Sequence, residues 1–148
     1  MLAAVLLACN ATTANISSLK LAKDKDGKSA ATEFKAGDTV YGFAQIGNNG
    51  GKVKVNFRMV AENVKDMKAG EVVKGSEASV DVEGDGAATC TLSTSPGTPA
   101  GTYKLVAEMI YNGEKKDEKS STFTLTGGAP TAPTEKKEPE EKTEDGGN

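Results

Sequence analysis

Residues 52–61 (KVKVNFRMVA) alternate, with Val53, Val55, Phe57, Met59 and Ala61 on one face and Lys54, Asn56 and Arg58 on the other. A two-residue period of this kind marks a strand with one buried side. Residues 103–111 repeat the pattern with Tyr103, Leu105, Ala107, Met109 and Tyr111. Their other face (Lys104, Val106, Glu108, Ile110) is apolar enough to predict cover on both sides. Ala78, Val80 and Val82 alternate with acids and serine, and Ser121, Phe123 and Leu125 alternate with threonines. Residues 40–46 are more uniformly apolar, as a central strand would be. Residues 16–22 and a short piece around Glu33 and Phe34 complete seven to eight strands. Residues 61–69 (AENVKDMKA) could hold a helical turn or two.

Four dipeptides punctuate these segments: Asp26-Gly27, Asn49-Gly50, Asp85-Gly86 and Asn112-Gly113. Each pairs a residue tolerant of positive φ with glycine, which predicts hairpins. Short strands with turn signals between them over residues 15–127 predict an all-β chain folded as one antiparallel β-sandwich. Aromatic residues are few, so the core is expected to rest on valine, leucine, isoleucine and three of the four phenylalanines. The 148 residues suit one domain, since domains typically hold roughly 100–150 residues.

Residues 34–41 read FKAGDTVY, residues 99–105 read PAGTYKL, and residues 123–125 read FTL. The first resembles the FxxGDTVY opening of extracellular immunoglobulin-like and macroglobulin-type sandwich modules. The second is similar to the P-x-G-x-Y approach to their penultimate strand, and the third to their closing strand. The resemblance implies an immunoglobulin-like architecture, with Tyr103 burying its ring while its hydroxyl finds a backbone partner. It implies no partner, because such modules serve as spacers, adhesion units and ligand binders. The macroglobulin thioester motif is absent, so no covalent trapping is carried over.

Charge divides the chain. Residues 1–128 hold 15 basic and 15 acidic side chains, so the net charge of −3 belongs to the end of the chain. Residues 128–148 contain no Val, Ile, Leu, Met or aromatic residue. With nothing to bury, this Pro-containing tail is expected to be disordered, a solvated trailing segment or a peptide that docks on a basic partner.

At the other end, residues 2–8 are an apolar run that stops at a small residue directly before Cys9. The run is far short of the about 20 apolar residues that span a bilayer. Leu6, Leu7, Ala8 and Cys9 resemble the lipobox of a bacterial lipoprotein signal peptide. The resemblance implies a signal-peptide-like segment (1–8), lipidation of Cys9 after cleavage, a stalk (9–14) and the β module (15–127). Cleavage after Ala14 as an ordinary secretory signal is the alternative. An unlipidated Cys9 that stays in the chain leaves a Cys9–Cys90 bridge open. Cys90 sits in ATCTL, on the apolar side of an alternating stretch, and is expected to be a buried small hydrophobe.

The chain has no histidine and no tryptophan. That excludes Ser-His-Asp and Cys-His mechanisms and leaves Cys90 without an imidazole to activate it. Residues 81–86 (DVEGDG) begin like a calcium loop, but the twelfth position, which should be Glu, is Leu92. Met59 and Met109 are expected in the core, and residues 47–51 read as a turn. No catalytic residue, cofactor or metal site is expected. The expected function is a lipid-anchored, exported binding or structural module of the bacterial cell envelope. Its partners would be the membrane, through the anchor, and an envelope protein or polysaccharide, with no nucleic acid. Residues 61–75 and 115–119 are the longest polar connections. The alternatives are an accessory domain of an envelope enzyme system or a carboxylate-based hydrolase, and a secreted module that assembles by strand addition.

Overall fold

The alternating segments become eight strands in the computed structural model, which describes residues 12–127. They are β1 (Asn15–Ala22), β2 (Glu33–Lys35), β3 (Thr39–Gly47), β4 (Lys52–Val64), β5 (Ala78–Glu83), β6 (Gly86–Ser93), β7 (Gly101–Tyr111) and β8 (Glu114–Thr126). No helix occurs among the described residues. Cys9, the segment before it and the tail from residue 128 onward lie outside the described residues.

The strands form two sheets, one of three strands in the order β1-β3-β6 and one of five in the order β2-β8-β7-β4-β5. All pairings are antiparallel except β2 with β8, which is parallel, so the larger sheet is mixed. The sequence predicted antiparallel strands throughout. A three-residue strand that reaches β8 across a long connection has no tight turn to fix its direction, so no local signal foretold it.

The sheets bury one common core. Phe34, Phe57 and Phe123 are fully buried, the three-of-four pattern expected. Each contributes about 1.5–3 kcal/mol relative to an exposed ring. Phe123 meets Phe34 edge-on at 5.8 Å and stacks on Tyr103 at 5.9 Å. The Tyr103 hydroxyl donates to the Pro99 carbonyl at 2.7 Å, the backbone partner that a buried tyrosine needs. Just ahead of Tyr103, a Cβ at Gly101 would stand 2.6 Å from the Asn63 carbonyl oxygen, so this strand pair admits only glycine there.

Of the four turn dipeptides, Asn112-Gly113 closes a hairpin between paired long strands, β7 and β8. Asp26-Gly27 closes a small one held by the Ala22–Ala30 bridge. At the other two dipeptides the left-handed residues are Asn48 and Gly84, not Asn49-Gly50 or Asp85-Gly86, and Gly86 already belongs to β6. These connections carry the chain from one sheet to the other, so their flanking strands do not pair. Buried Asn49 ties these two turns together. Its amide nitrogen donates to the Val82 and Gly84 carbonyls, and its backbone N–H donates to Asp85 at 2.7 Å.

Two further expectations are corrected. Residues 61–69 form no helical turn: β4 continues to Val64, and residues 70–73 return to bond the Met59 and Ala61 backbone. Ser76 fills the break between that segment and β5, its hydroxyl bonded to both the N–H and the carbonyl of Met59. Residues 115–119 are no connection but part of β8.

Among the glycines, the one most tightly enclosed by the opposite sheet is Gly42 of β3. A Cβ there would lie 2.4 Å from Leu105 Cδ2 on β7 and 2.8 Å from Cys90 Sγ on β6. The variant Gly42→Ala is expected to lower stability by about 1–3 kcal/mol through overpacking. Urea unfolding measures it; a loss under about 0.5 kcal/mol would mean that the sheets separate without cost there.

Candidate functional site

Charge is distributed unequally between the outer faces of the two sheets. On the five-stranded sheet, Arg58 of β4 donates to Glu108 of β7 at 2.7 Å and Glu118 of β8 at 3.2 Å. These contacts raise the guanidinium pKa, with the hydrogen bond to Glu108 the largest cause. Lys104 pairs with Glu62 at 2.6 Å and Lys52 with Asp81 at 3.1 Å. Pairs this exposed add little stability each, but they keep the face highly polar.

The three-stranded sheet is different. Its antiparallel register sets Ala22, Tyr41 and Thr91 in one row and Lys20, Phe43 and Thr89 in the next. Ser18, Gln45 and Ala87 form the third row, and Thr39 lies opposite Ser93. Lys20 is the one charged residue in these rows. Its ammonium donates to the Gly27 carbonyl at 2.7 Å and sits 5.6 Å from the Phe43 ring centre. Tyr41 and Phe43 are half-buried, flanked by the small exposed side chains of β6. The result is a surface of aromatic rings, hydroxyls and an amide with one cation, Lys20, in its rows, bordered beside Tyr41 by Lys23 and Asp38. Large aromatic side chains of this type supply contact area at low conformational cost.

Sequence reading missed this face. Residues 40–46 looked uniformly apolar, which concealed that Tyr41, Phe43 and Gln45 share one side while Val40, Ala44 and Ile46 share the other. The signal was Gly42: a residue with no side chain on the inner row marks where the opposite sheet presses close, and so which parity faces out.

A cleft of about 420 Å³ opens between the sheets beyond β5, lined by Met59, Val73, Ser76, Leu92, Thr94 and Thr98. Its hydroxyls serve the fold. Thr94 accepts from the Gly37 N–H and donates to the Asp38 carbonyl, while Ser95 and Thr98 bond each other.

The residues singled out in the sequence do not converge. Cys9 lies outside the described residues. Cys90 is buried at 2% exposure on the inner face of β6, and Met59 and Met109 are core residues. In the calcium-like stretch, Asp81 is held by Lys52, and Asp85 accepts from the Asn49 N–H. No group of three or more potential metal-ligating side chains forms among the described residues. Glu108 and Glu118 converge, but on the Arg58 guanidinium between them.

No family model matches the chain, and no curated protein matches it. Among solved structures, a beta-glucosidase from Kluyveromyces marxianus is similar at 16% identity over 77% of this chain, with a TM-score of 0.37. The chain spans 15% of that protein's length. At that score the likeness bears on neither fold nor activity.

Burial pushes the Cys90 thiol up to about 11. The folded state therefore holds its proton at pH values where the unfolded chain releases it. Its contribution to stability is complete below the unfolded-state value near 8.5 and is lost as pH rises toward 11. Urea unfolding at pH 8 and pH 10.5 should show a larger loss for the protein than for Cys90→Ala, by on the order of 2 kcal/mol. Equal losses would place the thiol in contact with water.

Proposed function

We propose that the protein is a non-catalytic recognition module of the bacterial cell envelope, exported and held at a membrane by lipid on Cys9. The body is an immunoglobulin-like β-sandwich. Support for that fold comes from the strand order β1-β3-β6 against β2-β8-β7-β4-β5 and from the tyrosine at the start of the penultimate strand bonding back to Pro99. The observation that carries the recognition reading is the sparsely charged outer face of the smaller sheet, where Lys20 is the one charged residue in the paired rows. Half-exposed Tyr41 and Phe43 stand there among Thr39, Gln45, Thr89 and Thr91, while the other sheet's outer face is covered with ion pairs. Rings and hydroxyls with a single cation among them suit an envelope polysaccharide or a weakly charged surface of an envelope protein.

The anchor rests on the residues LLAC at positions 6–9, and mass spectrometry of the membrane-extracted protein tests it. A diacylglycerol-bearing Cys9 at the new N-terminus is expected; an unmodified peptide that contains Cys9 would sink the anchor.

Recognition is tested separately, with purified envelope fractions immobilised and the full chain passed over them. Tyr41→Ala and Phe43→Ala should each weaken retention about tenfold or more, the cost of a central aromatic contact. Lys104→Ala on the opposite sheet should leave it unchanged. Equal loss for all three variants would remove the sparsely charged face as the site.

A further inference from the structure

Each sheet ends in two edge strands, and three of the four edges are protected. At β1, Asp117 accepts from the Ile16 N–H at 2.8 Å, Lys119 donates to the Ser17 carbonyl at 3.2 Å, and a bulge interrupts the strand there. Further along β1, the Ala31 N–H bonds the Leu21 carbonyl and the Lys23 N–H bonds the Ser29 carbonyl. Strand β2 is three residues long, and Asp38 accepts from its Lys35 N–H. Strand β5 carries Asp81 and Glu83. These are the devices by which proteins keep sheet edges from pairing with other chains.

Strand β6 has none of them. It reads GAATCTLS, with no charge, no proline and no bulge in its pairing to β3. Its free backbone groups can be identified. The Thr94 N–H donates to the Asp38 carbonyl, one step beyond the ladder that pairs Ser93 with Thr39. Hydrogen-bonded pairs alternate along an antiparallel ladder, so Leu92, Cys90 and Ala88 turn their backbone toward β3. Ala87, Thr89, Thr91 and Ser93 turn theirs outward. Among the described residues, no backbone bond from another segment engages these four on that side.

We propose that β6 is a homodimerisation edge that pairs antiparallel with β6 of a second copy about a two-fold axis at Cys90. The register follows from two conditions. Facing residues must lie on the same side of the sheet, so that Ala88, Cys90 and Leu92 continue the inner face. All four outward residues must also find partners. Pairing Thr89 with Thr91 of the second copy, and Ala87 with Ser93, uses every outward N–H and carbonyl of both strands. A register centred on Thr89 leaves Ser93 to face Asp85, which lies outside β6 in the turn before it. The occupant is a second copy because the outer side chains of β6 are small and uncharged, so self-pairing opposes no like charges. Pairing β5 with itself would bring Asp81 and Glu83 near their own copies. The joined sheet would have six strands and one continuous, sparsely charged face, twice that of the single module.

The test uses the full chain carrying Cys9→Ser, so that neither lipid nor a disulfide at that position adds to association. Analytical ultracentrifugation from about 1 µM to about 1 mM should show a monomer–dimer equilibrium. In Thr89→Lys/Thr91→Lys, two pairs of lysines would face each other, and the dimer dissociation constant should rise at least about tenfold. In Thr89→Lys/Thr91→Glu, each lysine faces a glutamate, and dimerisation should persist. Both residues are exposed, and equal thermal melting of all three proteins shows that folding is intact. A strictly monomeric starting protein overturns the proposal. So does loss of the dimer in the lysine–glutamate variant, which would indicate a register centred on Thr89. Association unaffected by either variant would place the interface elsewhere.

Discussion

The two sheets meet closely where Leu105 of β7 presses against Gly42 of β3 beside Cys90 of β6, leaving no room for a Cβ. Three strands are fixed relative to one another by that contact, because no side chain at position 42 leaves room for the leucine. Once Gly42 faces inward, Val40, Ala44 and Ile46 must follow it, and so must Ala88, Cys90 and Leu92 across the ladder. Shifting either strand by one residue would exchange that whole apolar set for Tyr41, Phe43 and the threonines. The sparsely charged outer face is therefore a consequence of the core, since it holds the residues the close approach leaves outside.

The division of charge follows from the same geometry. The longest strands, β4 and β8, belong to the five-stranded sheet, and their outward rows can carry cations and anions at cross-strand distance. Arg58 exploits this by reaching two neighbouring strands at once. The smaller sheet has one inner strand with an aromatic outward row, and beside it β6 offers only small side chains. One side of the module is thus strongly hydrated and self-paired, and the other carries only Lys20 as a charge in its paired rows. Fewer ions must be desolvated on that second side, which is where contact with another molecule is easiest.

Much of this was legible in the sequence because alternation is a local property. Val53 to Ala61 on one face, Cys90 as a buried thiol, and Tyr103 with its backbone-bonded hydroxyl all depend on neighbours within a few residues. What could not be read depends on distant partners. The Asp85-Gly86 dipeptide gives the same turn signal in the sequence as Asn112-Gly113, yet only the second joins paired strands, because β5 and β6 belong to different sheets. The protection of β1 by Asp117 and Lys119 crosses about a hundred residues of chain. The bareness of β6 was in plain view as GAATCTLS, but that string becomes informative only when the other three edges are seen to be guarded.

The lipid anchor proposed at Cys9 and the bare edge of β6 would constrain each other. Asn15 begins β1 opposite Gly47, at the end of the module that carries the β3–β4, β5–β6 and β7–β8 turns. Even fully extended, the five residues between Cys9 and Asn15 could span at most about 20 Å. Antiparallel pairing through β6 reverses one copy relative to the other, so the two ends that begin at Asn15 would point in opposite directions. Strand β4, with its 13 residues, gives the module a length of roughly 40 Å, more than one stalk can span. With Cys9 lipidated, a module standing upright would then present β6 to a copy from a facing surface, whereas two copies on one membrane could pair only by lying along it. A parallel arrangement offers no escape: a two-fold axis along the strands would turn one sheet over and set the inner row of one copy against the outer row of the other. If both proposals hold, pairing through β6 would tie the association of two modules to the spacing and orientation of the membranes that carry their lipids.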